Sequence, residues 1–171
     1  MNSKNWQAFK TKLGVTEELL ESGIGGIQND FNVSLPTDLL ELLQLNNGQK
    51  KDTTPLFCWS NYSSIGQNAF EFNFLDIKAI RETYYFIQQT TKLDAALVPF
   101  AKLNRTLGDS GSMAFTINAN DNSIHLTKFY EYDRFNTVHE HGTMKIAKSL
   151  DDFINSQADL IELLDRKNTS H

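Results

Sequence analysis

The tetrapeptide Gly108-Asp109-Ser110-Gly111 has the form of a turn that presents a nucleophilic serine. Such a serine needs a histidine base and a carboxylate that orients the base. In the chymotrypsin-like proteases that carry this tetrapeptide both partners precede the serine. Here His125, His139, His141 and His171 all follow it, and the chain is short for two such barrels. The four residues read instead as a tight turn before a strand, with Asp109 bonding its own backbone. His139-Glu140-His141 sets two imidazoles on one side of an extended segment. A structural zinc site takes four ligands and a catalytic one three; the spacing supplies no third, so no metal and no cofactor is expected. Asn118, Asn120 and Asn122 have the spacing of a calcium loop's first ligands, but Phe129 stands where the closing glutamate belongs. They read as a hairpin turn. Asp151 and Asp152 sit at the start of a helical pattern, where the helix dipole accounts for them. Gly23, Gly25 and Gly26 match neither phosphate-binding glycine pattern.

One segment has the chemistry of recognition rather than catalysis. Phe129-Tyr130-Glu131-Tyr132-Asp133-Arg134-Phe135 combines Tyr, Phe and Arg, which are favoured at protein interfaces, with acidic neighbours that speed encounter with a basic partner. Its alternative reading is a strand end with outward polar residues.

The elements that must position these residues follow from periodicity. Leu35 to Gly48 is the dominant one. Pro36 suits a first helical position, Asp38 puts negative charge in the first turn, and Leu39, Leu42 and Leu43 share one face, widened by Leu40 and Leu45. Gly48, with Asn47 before it, closes the helix in the left-handed conformation. Upstream, Trp6, Phe9 and Leu13 predict a first helix. Thr16 caps a second turn, and Ile27 and Phe31 form one more turn before Pro36. Leu56 to Trp59 is a short strand. Phe70, Phe72 and Phe74 alternate with Glu71 and Asn73, the pattern of a half-buried strand. Asp76 caps a helix whose Ile77, Ile80, Tyr84 and Ile87 share a face. Leu97 to Ala101 contains Pro99, which donates no backbone hydrogen bond, so this segment is expected at an edge or leading into a strand. Met113–Ile117 and Ile124–Tyr130 flank the Asn-rich turn and predict a hairpin. Thr143–Ala147 is a last strand. Ser149 and Asp152 then begin a capping box for a helix carrying Leu150, Phe153, Ile154, Gln157, Ile161 and Leu164.

The chain has 171 residues, with 40% hydrophobic residues and twelve Phe. That fits a single domain over residues 1–171 that needs no disulfide or metal staple. Sixteen basic and twenty-one acidic side chains give a formal charge of −5. This disfavours nonspecific binding to nucleic acid or an anionic membrane and suits a basic protein partner. Cys58 has no second cysteine to pair with, and its neighbours Phe57 and Trp59 predict a buried thiol. No apolar run reaches the length of a membrane span, and Met1 leads into a polar, Trp-containing helix pattern, so the expected compartment is the cytoplasm.

Three segments in order resemble the SUKH superfamily, the fold of the fungal Smi/Knr-type cell-wall assembly regulators and of many bacterial toxin-immunity proteins. The first is Leu35-Pro36, a Leu-rich helix, then Asn47-Gly48. The second is Val98-Pro99-Phe100-Ala101, then Gly108-Asp109, then the Met113–Ile117 strand. The third runs from Ile146 through Ser149 to Phe153 and Ile154. The likeness spans about residues 27–164, leaving helices over 3–23 as an extension. Two features depart from it: the Met113–Ile117 run has no acidic residue, and Gln49-Lys50-Lys51 replaces a Gly-rich turn. The resemblance implies an α+β fold, a mainly antiparallel sheet with N-terminal, middle and C-terminal helices packed on it. It also implies a non-catalytic binding protein. An immunity protein that neutralises a toxin, such as a basic nuclease, is the leading expectation. A regulatory or scaffold protein of the cell-wall type is the second. Tag-free protein is expected to show no tight equimolar zinc binding by calorimetry; a saturating one-to-one isotherm would reinstate the histidine pair as a ligand site.

Overall fold

A computed structural model gives the fold and describes residues 30–49, 57–60, 69–103, 112–129 and 141–157, with residues 45, 57–60 and 69 described by backbone alone. The readings for residues 1–29, for 104–111 and for the chain beyond 157 lie outside the described residues. Helix α1 (Thr37–Leu45) is followed by strands β1 (Phe57–Ser60) and β2 (Ala69–Phe74) and by helix α2 (Ile77–Thr90). Four further strands, β3 (Leu97–Leu103), β4 (Ser112–Asn118), β5 (Ile124–Phe129) and β6 (Gly142–Ala147), precede helix α3, residues 150–157. The six strands form one sheet in chain order, each antiparallel to the next. The architecture is α+β.

The expected periodicities place the core. Leu39, Leu42 and Leu43 of α1 are fully buried, as are Ile80, Tyr84 and Ile87 of α2. Phe72 and Phe74 turn inward from β2 while Glu71 stays exposed. The centre of the main cluster is aromatic. Phe115 of β4 lies 4.1 Å from Phe72 and 4.8 Å from Phe153 of α3, ring centre to ring centre, and Phe153 stands edge-on to Phe100 at 5.7 Å. One α3 side chain thus bonds the helix to two adjacent strands. Ser149 begins α3 as expected: its Oγ accepts from the Asp152 N–H (3.2 Å), and Asp152 Oδ2 accepts from the Lys148 N–H (3.2 Å).

The β4–β5 hairpin turns where the asparagines predicted. The Asn122 N–H donates to the Asn118 carbonyl (2.8 Å), and Asn122 takes the left-handed conformation (φ 58°) that asparagine tolerates. Asn118 Oδ1 accepts from the Asn120 N–H (2.8 Å), so this oxygen shapes the turn.

Three expectations are corrected. Phe31 lies in a bend, not a helical turn; it is buried by packing on the Tyr84 ring at 4.9 Å. Pro36 is the cap residue before α1 rather than its first helical residue, with an extended ψ of 137° and a carbonyl that accepts from the Leu40 N–H at 3.0 Å. Pro99 is not on an edge strand: β3 is third of six. It is tolerated because the ladder to β2 stops short of it. The last contact on that side is the Leu75 N–H to the Phe100 carbonyl (2.9 Å), after which the chain leaves for α2. On the β4 side the register shifts between Pro99 and Ala101. Strand interior and strand edge therefore meet within β3.

Gly48 is left-handed (φ +86°), as predicted, but it sits two residues past the helix cap Asn46 and serves a different purpose. A Cβ there would lie 2.7 Å from the Asp76 nitrogen and 2.8 Å from its Cα. Both the dihedral and the approach to backbone demand glycine. Gly48→Ala is expected to cost roughly 2–4 kcal/mol of unfolding free energy, backbone strain plus displacement of the Asp76 corner. Chemical denaturation would measure it, and a loss below about 0.5 kcal/mol would show that this corner yields freely.

Candidate functional site

The residues that carried the family likeness are architectural where they are described. Leu35 and Phe153 are buried in the same core, and Pro99 stands at the β3 irregularity. Asn47 Oδ1 accepts the Ile77 N–H (2.9 Å) at the start of α2, beside Gly48. Gly108 and Asp109 lie outside the described residues, as do Ser110, His139 and Glu140. His141 is exposed. Among the described residues no three His, Cys, Asp or Glu side chains converge as a metal site would require.

The recognition segment is divided. Phe129, read from the sequence as its first contact residue, is fully buried with Ile87 and Ala114. Its ring lies 5.9 Å from that of Phe86, and Lys102 Nζ stands 5.8 Å above it. A ring enclosed in this way anchors the end of β5 and is not available to a partner. Tyr130, Glu131, Tyr132, Asp133, Arg134 and Phe135 lie outside the described residues.

A polar constellation that sequence reading missed runs across β4, β5 and β6. Thr116 faces His125, and Thr127 faces Thr143, across their ladders, while His125 also faces Lys145. Two-residue alternation puts these five on the face opposite Phe115, Ile117 and Leu126 of the main core. Thr116, Ser123 and Thr127 are fully buried. Thr116 Oγ1 and Thr127 Oγ1 are 2.8 Å apart, and Thr127 and Thr143 hydroxyls 3.4 Å apart. His125 Nδ1 lies 3.2 Å from Thr143 Oγ1, and His125 Nε2 lies 2.8 Å from Ser123 Oγ. Asp121 Oδ1 accepts from both the hydroxyl (2.5 Å) and the N–H (2.9 Å) of Ser123, and its other oxygen meets Lys145 Nζ at 3.4 Å. The signal existed in the sequence as hydroxyl and imidazole residues of one parity on three predicted strands. Joining them required the register.

Proton accounting fixes the direction of this chain. The two hydrogen bonds from Ser123, with help from Lys145, hold the Asp121 carboxyl down at about 2, so near neutrality it only accepts. Ser123 has one proton and gives it to Asp121. His125 Nε2 must then carry its own proton and donate to Ser123, which leaves Nδ1 to accept from Thr143. A nucleophilic serine needs the opposite, an imidazole that takes the serine proton. The Ser-His-Asp trio is wired as a strand-to-strand brace. Burial pushes His125 below the usual imidazole range, Lys145 adds to this, and Asp121 opposes both.

An antiparallel six-strand meander with helices packed on it, and a hydrogen-bonded polar brace across β4, β5 and β6, makes an α+β domain. Residues 17–156 match the SMI1 / KNR4 family (SUKH-1). The chain belongs to that family, as the three motifs suggested. Comparison with curated proteins gives no match. No helix among the described residues is long and apolar enough to cross a membrane.

The brace makes stability pH-dependent. His125 binds its proton less readily folded than unfolded, so the unfolded state gains protons first as pH falls through about 6.5. Its contribution is full above that value and is lost on acidification; Asp121 adds a second loss from about 3.8 down to about 2. The denaturation midpoint is expected to fall between about pH 6.5 and pH 5, and to fall less in His125→Gln. Equal slopes for the two proteins would remove His125 from the account.

Proposed function

We propose that this protein is a non-catalytic, cytoplasmic binding protein, and specifically an immunity protein that neutralises a toxin by direct contact. Membership of the SMI1 / KNR4 family across residues 17–156 carries this reading. The net charge of −5 supports it, because a nuclease toxin must hold phosphates and is therefore basic. The proton wiring at Ser123 supports it as well, since the one Ser-His-Asp grouping described is set the wrong way for acyl transfer.

The contact surface in this proposal is Tyr130 to Phe135, held by the Phe129 anchor. Acidic Glu131 and Asp133 draw in a basic partner over a distance set by salt, and the aromatic side chains supply the buried contacts. The gene next to this one is expected to encode a large secreted protein with a variable C-terminal toxin domain. Binding of that domain would be measured for wild type, Tyr132→Ala and a charge reversal of Glu131 and Asp133 together. Tyr132→Ala should raise dissociation, costing roughly 2 kcal/mol or more. The reversal should slow association most at low salt. Wild-type kinetics for both folded variants would exclude this segment as the contact. A protein that binds no neighbouring toxin but assembles with cell-wall synthesis components would instead be a regulator of the cell-wall assembly type.

A further inference from the structure

Asn47-Gly48 is the one Asn-Gly dipeptide in the chain. Its two residues carry the chemistry of self-modification. The backbone nitrogen that follows an asparagine can attack the side-chain carbonyl carbon, and glycine, with no Cβ, leaves that nitrogen most open. The new C–N bond closes a succinimide ring, and the side-chain nitrogen leaves as ammonia, with solvent carrying the Gly48 amide proton to it. Water then opens the ring at either carbonyl, giving aspartate or isoaspartate. Water is the only co-reactant, and nothing is oxidised or reduced.

The fold holds both reacting groups apart. The Gly48 N–H donates to the Asn46 carbonyl (3.0 Å), which makes Asn47 the centre of a three-residue turn. Asn122 is the one described non-glycine residue with positive φ, so the turn at Asn47 is of the inverse type, with ψ of about +65°. At that ψ the Gly48 nitrogen stands anti to the Asn47 Cβ, the orientation furthest from ring closure. The side chain is tied as well, because Asn47 Oδ1 accepts the Ile77 N–H (2.9 Å). Gly48 is buried and Asn47 half-buried, which keeps solvent base from the amide proton.

We propose that Asn47-Gly48 is a deamidation site gated by the fold, silent while the corner between α1 and α2 is closed and reactive when it opens. Ring closure needs rotation about the Asn47 Cα–C bond, and with it loss of the hydrogen bonds to Asn46 and Ile77. Conversion therefore records the time the corner spends open rather than the age of the chain. The two products differ in consequence. Aspartate keeps an acceptor for the Ile77 N–H at the positive end of α2. Isoaspartate lengthens the main chain by one carbon beside Gly48, where even an added Cβ would lie 2.7 Å from the Asp76 nitrogen. A chain that opens and becomes isoaspartate does not re-form this corner, so the modification makes the opening irreversible.

The test is incubation of the full chain at mildly alkaline pH, with and without concentrated guanidinium chloride, followed by site-resolved peptide mass spectrometry that separates aspartate from isoaspartate. In denaturant Asn47 is expected to convert ahead of every other asparagine; in the folded protein it should convert at least about tenfold more slowly. Chains carrying isoaspartate at this position should refold with a lower denaturation midpoint than unmodified chains. Ile77→Pro removes the donor to Asn47 at a first helical position that proline suits, after an Asp76 already extended (ψ 168°). It should raise conversion of Asn47 relative to Asn122 in the folded protein about threefold or more. Equal rates with and without denaturant, another asparagine leading in the denatured chain, or isoaspartate chains with the unmodified midpoint would each overturn the proposal. So would an Asn47 rate that stays unchanged in a folded Ile77→Pro protein.

Discussion

Helix α2 has its first backbone donor satisfied from thirty residues upstream, and the fold depends on that contact. The four residues after α1 fold over the corner between β2 and α2. The Gln49 N–H donates to the Phe74 carbonyl (3.1 Å), and the Phe74 N–H donates to Gln49 Oε1 (3.1 Å), so one glutamine makes an extra rung on the last residue of β2. Asn47 caps Ile77, Asp76 caps Ala79 (2.7 Å), and buried Asn46 donates to the Gly48 carbonyl (2.9 Å), stiffening the loop that does this. Buried helix ends without such partners are costly. The same loop fixes α1, whose leucines cover the inner face of the sheet, and α2, whose Tyr84 closes over Phe31. The Gln49 that departs from a Gly-rich turn supplies a side-chain acceptor that glycine lacks.

How far the fold could be read from the chain depended on how local each cause was. The Phe70–Phe74 alternation, the Asp76 cap, the Asn118–Asn122 turn and the Ser149 capping box act within a few residues, and all appear where periodicity and capping put them. Pro99 was misplaced because its tolerance is set by where a different strand stops, at Phe74. Phe129 reads as a contact in the sequence because aromatic residues suit both interfaces and cores. The deciding neighbours, Ile87 and Ala114, come from another helix and another strand. The left-handed dihedral of Gly48 is legible from its place after the helix, but its cause is not, since Asp76 approaches it from across the fold.

The two faces of the sheet are built differently. Toward α1 and α3 it is aromatic and aliphatic, with Phe72, Phe100 and Phe115 meeting Phe153. On the reverse of β4 and β5, buried hydroxyls and an imidazole stand beside a second, smaller apolar cluster in which Ala114 and Phe129 meet Ile87 of α2. Hydroxyls buried in this way are favourable only while each finds a partner. Such a face fixes strand register, because a slip of one residue would strand several polar groups at once.

The order of the strands in space repeats their order in the chain. No strand has to be inserted between two that are already paired. A nascent sheet of this kind can begin at the tight β4–β5 hairpin and extend outward, each addition closing one connecting segment. Loop closure is the slow, entropic part of making β-structure, and sheets built from sequential hairpins keep those closures short. Length changes in the connecting segments would alter the rate of one addition without changing which strands meet. A family built on this meander can therefore vary its loops freely while the assembly route stays the same.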